Sequence, residues 1–463
     1  MWPDEFDGWN LLTDPSVHHM IGSWNLCADG GSLLFYGLGR LIFSVTGHHI
    51  VAMRLFSAAC LWGAALLWWR ILRQSFSTLP ALIAVLLIWF CDPIFVYQAA
   101  EARFYGLLIL STVIAVNTTV WVEDRQPSAS IILLVCFLVN GLLVSSHYLG
   151  LIYSAILLTA LFFSKLPRAK HLAALAGTLS SWLLFLIYLR PIRSGSSYMG
   201  WIMMPTVINT LRYYFHTPTA NRFFNLMVFF GMVACVVHWM RRSPELLLKQ
   251  RRRRMLLLIS FFFLLIPVGA YVVSHLYHPL TVDRYMMPYS LGFGCIFACA
   301  LWILDQQAAF RERPGLRLAF QVALIGAVVA LHFIGVRQQP VRPLSDIQPL
   351  IDMSNSLPLV ISNDTVFYEM RYYGGFAGAN TFFPIPSTQS GYLGLLSRRG
   401  YAPGVVADAE FLGKNRQFLY LDFPKYRDFY QRAVASNPRW LTQDVGVVRV
   451  QGLPIHLFRV EQR

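Results

Sequence analysis

The chain has 463 residues, 56% of them hydrophobic and only 13% charged, with a mean hydropathy of +0.51. Soluble domains carry about 25% charged residues, so this composition excludes an ordinary globular enzyme and points to a polytopic membrane protein. The formal charge of +15 does not indicate nucleic acid: its densest run, RRSPELLLKQRRRR (241–254), lies between two apolar stretches, as a cytoplasmic loop under the positive-inside rule does.

The chain opens MWPDEFDGW, with Asp4, Glu5 and Asp7 crowded at the start of an acid-poor protein. No basic n-region or apolar h-region precedes them, so no cleavable signal is expected. Two following stretches, WNLLTDPSVHHMIGSWN and SLLFYGLGRLIFSVTG, are too short and polar to span a bilayer. Their apolar residues recur at three- and four-residue spacing, which predicts helices lying in the interface.

A span needs roughly 17 to 25 mostly apolar residues. Helices are predicted near 50–72, 80–97, 102–121, 129–146, 149–164, 172–190, 223–240, 255–274, 284–304 and 318–336. Lys and Arg crowd one alternating set of loops, around Arg70, Arg125, Lys165, the 241–254 run and Arg311, and thin out in the other, which identifies the first set as cytoplasmic. Ten spans then leave both ends outside, and a segment that starts outside normally follows a span that carried it there. Either residues 1–49 are translocated without help or an upstream first helix is missing from the chain as given, and the missing helix is the expectation.

The sequence divides into an outer loop (1–49), a transmembrane domain (50–336) and a soluble tail (337–463). In the tail, LPLVIS (357–362) and RQFLYLDF (416–423) read as strands, DTVFYEMRYYG (364–374) and KYRDFYQRAVAS (425–436) as helices. A hairpin around Gly452 and Pro454 closes the chain, giving a small α/β domain on the outer side. The expected fold class is thus an all-α polytopic membrane domain followed by a small extracytoplasmic α/β domain. Seven cysteines form no CxxC and no paired framework, so neither disulfides nor a Cys-based metal site is expected.

Four polar clusters fall at outer helix mouths: WPDEFD, DPIFVYQAAEARFYG (92–106), SSHYLG (145–150) and TVDRYMMP (281–288). Charged residues at membrane depth cost roughly 2.5–3.5 kcal/mol each on insertion scales, and they usually face an interior cavity and serve function. Arg103 and Arg284 carry guanidinium forks suited to phosphate. Asp4, Glu5 and Glu101 supply carboxylates able to take a proton from a hydroxyl. Tyr105, Tyr148 and Tyr285, beside His147, add rings for a sugar or a lipid groove. Each cluster has a plainer reading: a solvated tip for the first acids, an interfacial salt pair for Glu101 and Arg103, interface anchors for His147 and Tyr148, and a snorkelling pair for Asp283 and Arg284. Their order and shared side carry more weight than any one of them.

The succession PDE, MRLFSA (53–58), EARFYGL, SHYLG and DRYMMP resembles the GT-C superfamily of membrane glycosyltransferases, in the branch holding the protein O-mannosyltransferases and the lipid A aminoarabinose transferase. The likeness runs from residue 3 to about 290 and includes the trailing α/β domain. It implies a polyprenyl-phosphate-linked sugar as donor and chemistry on the periplasmic or lumenal side; the acceptor, lipid, glycan or protein, is left open, and the compact loops without organelle signals point to a bacterial inner (plasma) membrane. It implies Asp4 as catalytic base with Glu5 beside it, Glu101 as the acid of the second outer loop, and Arg103 as phosphate ligand; beside the resemblance, Arg284 or Arg40 is expected to join Arg103 in stabilising charge on the phosphate. Whether Asp4 and Glu101 also hold a divalent cation is left open; oxygen ligands suit Mg²⁺ or Mn²⁺. The chain departs from the family in two respects, the lack of a helix before its acidic pair and the lack of the lysine-rich features of the aminoarabinose enzymes. The rival readings are a transporter or lipid-linked-sugar flippase, which would show paired hydropathy halves and broken mid-membrane helices, and a non-catalytic scaffold presenting the tail.

Overall fold

The computed structural model describes residues 3–195 without 48, 204–213, 250–307 without 278 and 280, most of 350–463, and isolated positions between these stretches. The chain divides into two compact units: Gly31–Arg193 with Met199–Gln339, and Met1–Gly30 with Ser194–Tyr198 and Pro340–Arg463. In chain order the helices are α1 (Pro3–Thr13), α2 (Val17–Asn25), α3 (Leu33–Thr46), α4 (Ile50–Phe76), α5 (Thr78–Leu86), α6 (Pro93–Ala100), α7 (Tyr105–Arg125), α8 (Ala129–Ser146), α9 (Leu149–Phe162) and α10 (Arg168–Ser181). They continue as α11 (Leu189–Gly195), α12 (Val207–Tyr213), α13 (Arg251–Leu264), α14 (Ile266–Leu276), α15 (Met287–Asp305), α16 (Asp364–Tyr373), α17 (Tyr392–Arg398) and α18 (Asp408–Lys414).

The first unit is helical. Among the described residues, five helical segments are long and apolar enough to cross a membrane: Ile50–Phe76, Tyr105–Arg125, Ala129–Ser146, Arg168–Gly195 and Asp283–Asp305. Two bent pairs bring the number to seven, Thr78–Phe90 with Ile94–Ala100 and Arg251–Leu264 with Ile266–Leu276. The first pair bends by 65° where a π-helical turn, Leu87–Cys91, meets Asp92 and Pro93; the second bends by 40° next to Pro267. Proline and π-turns both break the i→i−4 ladder. Against the ten spans expected, α9 is apolar but has only 14 residues, and the stretches 223–240 and 318–336 fall largely outside the described residues.

Burial separates inner from outer spans. The apolar windows of α7 and of Asp283–Asp305 are 78% and 83% buried, against 28–39% in the other three spans. These two enclosed spans are the ones that begin at the ARFYG and DRYMMP loops.

The opposite end of this unit is bolted by the basic run. The sequence predicts a loop over 241–254, whereas Arg251 to Arg254 form the first turn of α13. Arg253 is buried, donates from Nε and Nη2 to the Ser75 carbonyl at 3.0 and 2.7 Å, and stacks 4.1 Å over Trp302. Arg254 meets the buried carboxylate of Glu123 at 2.5 Å, which also accepts from the Lys165 amide at 3.1 and 3.2 Å. A basic run can start a helix here because its guanidinium groups find acceptors on neighbouring helices.

In the second unit, the single interfacial helix expected over WNLLTDPSVHHMIGSWN is two helices, α1 and α2. Pro15 disfavours helix at Asp14, and the Asp14 side chain accepts from the Ser16 amide at 2.8 Å. The Ser16 hydroxyl then caps α2 by accepting from the His19 amide. The C-terminal segment forms a six-stranded sheet of β1 (Leu359–Ile361), β2 (Thr381–Ile385), β3 (Val405–Ala407), β4 (Gln417–Asp422), β5 (Trp440–Val450) and β6 (Leu453–Gln462), in the order β3-β2-β1-β4-β6-β5. The first four strands are parallel, with Leu359 level with both Thr381 and Leu419. The closing hairpin is antiparallel, with Phe418 opposite Val460. β1 is buried along its whole length, as a central parallel strand must be. Phe411, Phe418, Tyr420 and Phe429 pack the core with Val360 and Val460. The helix expected at 425–436 is described only as a π-helical turn, Tyr430–Ala435.

Candidate active site

Three of the four polar clusters meet within the helical unit. The first leaves α6 at Glu101, whose extended backbone (φ −97°, ψ 140°) ends the helix. Residues 101–104 turn into α7, and in this turn Glu101 is 3% and Arg103 6% exposed. The Ser57 hydroxyl on α4 donates to the Arg103 carbonyl at 2.8 Å. One residue into α7, a Cβ on Gly106 would stand 2.3 Å from the Ser57 carbonyl oxygen. Only glycine lets the two backbones touch, and this contact sets where the turn sits.

The second cluster is the corner between α8 and α9. α8 stops at Ser146, His147 is extended, and a Cβ on Gly150 would lie 2.0 Å from the Leu143 carbonyl oxygen. The corner is tight because Gly150 has no side chain. His147, 1% exposed, lies parallel to Phe104 with centroids 4.3 Å and planes 13° apart. The Leu149 amide donates to His147 Nδ1 at 3.2 Å, which leaves Nε2 to carry the proton of the neutral ring.

The third cluster is the short turn Asp283–Met286 that feeds α15. Tyr148 donates its hydroxyl hydrogen to the Tyr285 hydroxyl at 2.9 Å, and Tyr153 donates to the Tyr285 carbonyl at 2.8 Å. The Arg284 guanidinium sits 5.6 Å from the Tyr105 ring centre, and that of Arg103 sits 5.1 Å from Phe104. Phe104 and Tyr105 are themselves 4.3 Å apart. Two guanidinium groups thus stand over adjoining rings, within cation–π range of about 6 Å. Such a ring-walled cationic site suits a phosphate, which arginine can grip with two parallel hydrogen bonds.

The remaining sequence candidates lie elsewhere. Asp4 belongs to α1, and its side chain lies outside the described residues. Glu5 is buried within the second unit. Arg40 is half-buried on α3, which packs against α4 and α8. Sequence reasoning did not single out Phe104, Ser57 or Tyr153. Phe104 stands in plain view inside ARFYG and Ser57 inside MRLFSA, but nothing in the pattern marks Tyr153. Among the described residues no group of three or more His, Cys, Asp or Glu side chains could hold a metal ion, so no residue set is assigned to the divalent cation.

No protein-family model matches the chain, and no curated protein sequence does. Solved structures do. The aminoarabinose transferase ArnT from Cupriavidus metallidurans, in its apo state, aligns over 99% of this chain and 93% of its own at a TM-score of 0.56 and 12% identity. The archaeal oligosaccharyltransferase AglB from Archaeoglobus fulgidus, in complex with an inhibitory peptide and a dolichol-phosphate, aligns over 85% of this chain and 61% of its own at 0.50 and 12% identity. Both are GT-C superfamily members, and the chain has the GT-C fold.

Proposed function

We propose that the chain is an integral membrane glycosyltransferase that moves a sugar from a polyprenyl-phosphate donor to a hydroxyl acceptor on the periplasmic side. The observation that carries this reading is the placement of Arg103 and Arg284 over the adjoining rings of Phe104 and Tyr105. The likeness in fold to ArnT adds support, as does the dolichol-phosphate in complex with AglB, itself a polyprenyl phosphate.

The chemistry proposed is a single inverting displacement. Asp4 takes the proton of the acceptor hydroxyl, whose oxygen bonds to the anomeric carbon as the bond from that carbon to the phosphate oxygen breaks. The transition state is oxocarbenium-like, as in glycoside hydrolysis. The departing polyprenyl phosphate is already a stable anion, so it needs charge stabilisation more than a general acid. Arg103 and Arg284 supply that charge, while Glu101 and Glu5 keep the acidic roles the family resemblance gives them. Tyr148, Tyr285 and His147 wall the site against water. The acceptor is a lipid, glycan or protein hydroxyl, and the membrane is a bacterial inner membrane.

The test uses purified protein in liposomes with a radiolabelled polyprenyl-phosphate sugar and envelope lipid, glycan or protein fractions as acceptors. Label is expected to move to an acceptor, and Asp4→Asn should lower the rate about 10²–10⁴-fold without loss of folded protein. Translocation of the donor without transfer would establish a flippase instead.

A further inference from the structure

We infer that Ser57 and Tyr153 are positioning residues for the two site arginines, acting through backbone carbonyls rather than by touching substrate. This rests on the phosphate-binding reading above and deepens it. Ser57 donates to the carbonyl of Arg103 itself at 2.8 Å. Tyr153 donates to the carbonyl of Tyr285 at 2.8 Å, the residue after Arg284. The two loops come from opposite ends of the unit's sequence, yet each is held by one buried hydroxyl from a neighbouring helix.

The physical need is clear. Both arginines lie in turns between helices, where backbone groups lack the partners a helix provides. A turn with an unpinned carbonyl samples several conformations, and a guanidinium on a long side chain amplifies every shift of its backbone. A bidentate grip on phosphate tolerates little such error. Each donor is in turn fixed. Ser57 is locked by the backbone contact of α4 with Gly106. Tyr153 precedes Ser154, whose hydroxyl donates to Asn140 Oδ1 at 2.7 Å and accepts from Trp182 Nε1 at 2.9 Å. Asn140 Nδ2 donates onward to the Cys136 carbonyl at 2.9 Å. A polar network among α8, α9 and the 3₁₀ segment Trp182–Tyr188 that follows α10 therefore holds α9 in place, and α9 holds the Arg284 turn.

A double-mutant cycle tests the assignment, with polyprenyl phosphate as the probe and binding to purified protein in detergent as the readout. Tyr153→Phe and Ser57→Ala should each weaken binding about five- to tenfold, the worth of one buried hydrogen bond. Tyr153→Phe should add nothing once Arg284→Ala is present, and Ser57→Ala nothing once Arg103→Ala is present, because each acts only through its arginine. Thr119→Val, which removes a hydroxyl bonded to Ala115 within α7, should leave binding unchanged. Effects that add to the arginine losses, or single variants that bind as wild type, would overturn the positioning role while leaving the phosphate site intact. Wild-type protein that does not bind polyprenyl phosphate would remove the underlying reading and this inference together.

Discussion

Phe104 and His147 lie face to face, their ring planes 13° apart and centroids 4.3 Å apart, although one ends the turn into α7 and the other forms the corner before α9. This stack joins the first and second polar loops. His147→Phe keeps the ring pair but deprives the Leu149 amide of its acceptor, and should cost about 1 kcal/mol. His147→Ala empties a buried ring site and should cost about 3 kcal/mol or more. Thermal unfolding in detergent should therefore rank wild type, His147→Phe and His147→Ala in that order. Equal melting of the two variants would show that the stack carries no stability.

Gly106 and Gly37 make a contrasting pair. A methyl group at Gly106 meets the Ser57 carbonyl at 2.3 Å, whereas nothing lies within 4 Å of one at Gly37 on α3. Gly106→Ala should force α4 and α7 apart, destabilising the protein by about 1–3 kcal/mol and displacing Arg103. Gly37→Ala should be neutral or stabilise by about 0.5–1 kcal/mol. Comparing the two melting temperatures and the two transfer rates checks both halves.

Glu123 anchors the far end of the helical unit. It is fully buried between Arg254 and the Lys165 amide. Removing one partner of a buried ion pair typically costs 3–5 kcal/mol, because the other charge is left uncompensated. Glu123→Ala should thus lower the yield of folded protein sharply, and Glu123→Ala with Arg254→Met should recover part of it. A double variant no better than the single would mean the pair acts through packing alone.

The second unit carries a pH-sensitive tie. Tyr401 and His19 Nδ1 both lie 2.5 Å from Asp14 Oδ2, and Arg399 donates to the Ser23 hydroxyl and the His19 carbonyl. Burial pushes the Asp14 carboxyl up, but hydrogen bonds from Tyr401, His19 and the Ser16 amide outweigh it and hold the group below its ordinary 3.8. Burial, reinforced by Asp14, pushes the Tyr401 phenol above its ordinary 10. A depressed carboxylate lends stability that is present above its unfolded pKa and lost as pH falls through the folded one. A raised phenol lends stability present below about pH 10 and lost as pH rises beyond it. Melting of the wild type should fall off in both directions, and Tyr401→Phe should lessen the alkaline loss and soften the acid one.

Much of this was legible in the sequence. The motifs ARFYG, SHYLG and DRYMMP stood out as polar residues at helix mouths, because charge and aromatic rings beside apolar runs break a strong pattern. The strands at 359–361 and 417–422 were equally visible as β-branched and aromatic runs. Ser57 and Tyr153 were not, since a hydroxyl donating to a distant carbonyl obeys no periodicity. β2 was missed because Pro384 stands inside it and proline normally argues against a sheet interior. The break between α1 and α2 carried its signals, Asp14-Pro15-Ser16, but regular apolar spacing across it masked them. The basic run at 251–254 read as solvated because composition does not reveal Ser75 or Glu123 waiting on other helices.

On the reading proposed above, the ring cluster with Arg103 and Arg284 receives a lipid-linked phosphate. The most direct test is an electron cryomicroscopy structure of the purified chain in lipid nanodiscs with polyprenyl phosphate added. Phosphate density is expected within hydrogen-bond reach of both guanidinium groups, beside the Phe104–His147 stack, and should be lost in Arg103→Ala with Arg284→Ala. Phosphate bound elsewhere in the wild type, or unchanged in the double variant, would contradict that reading.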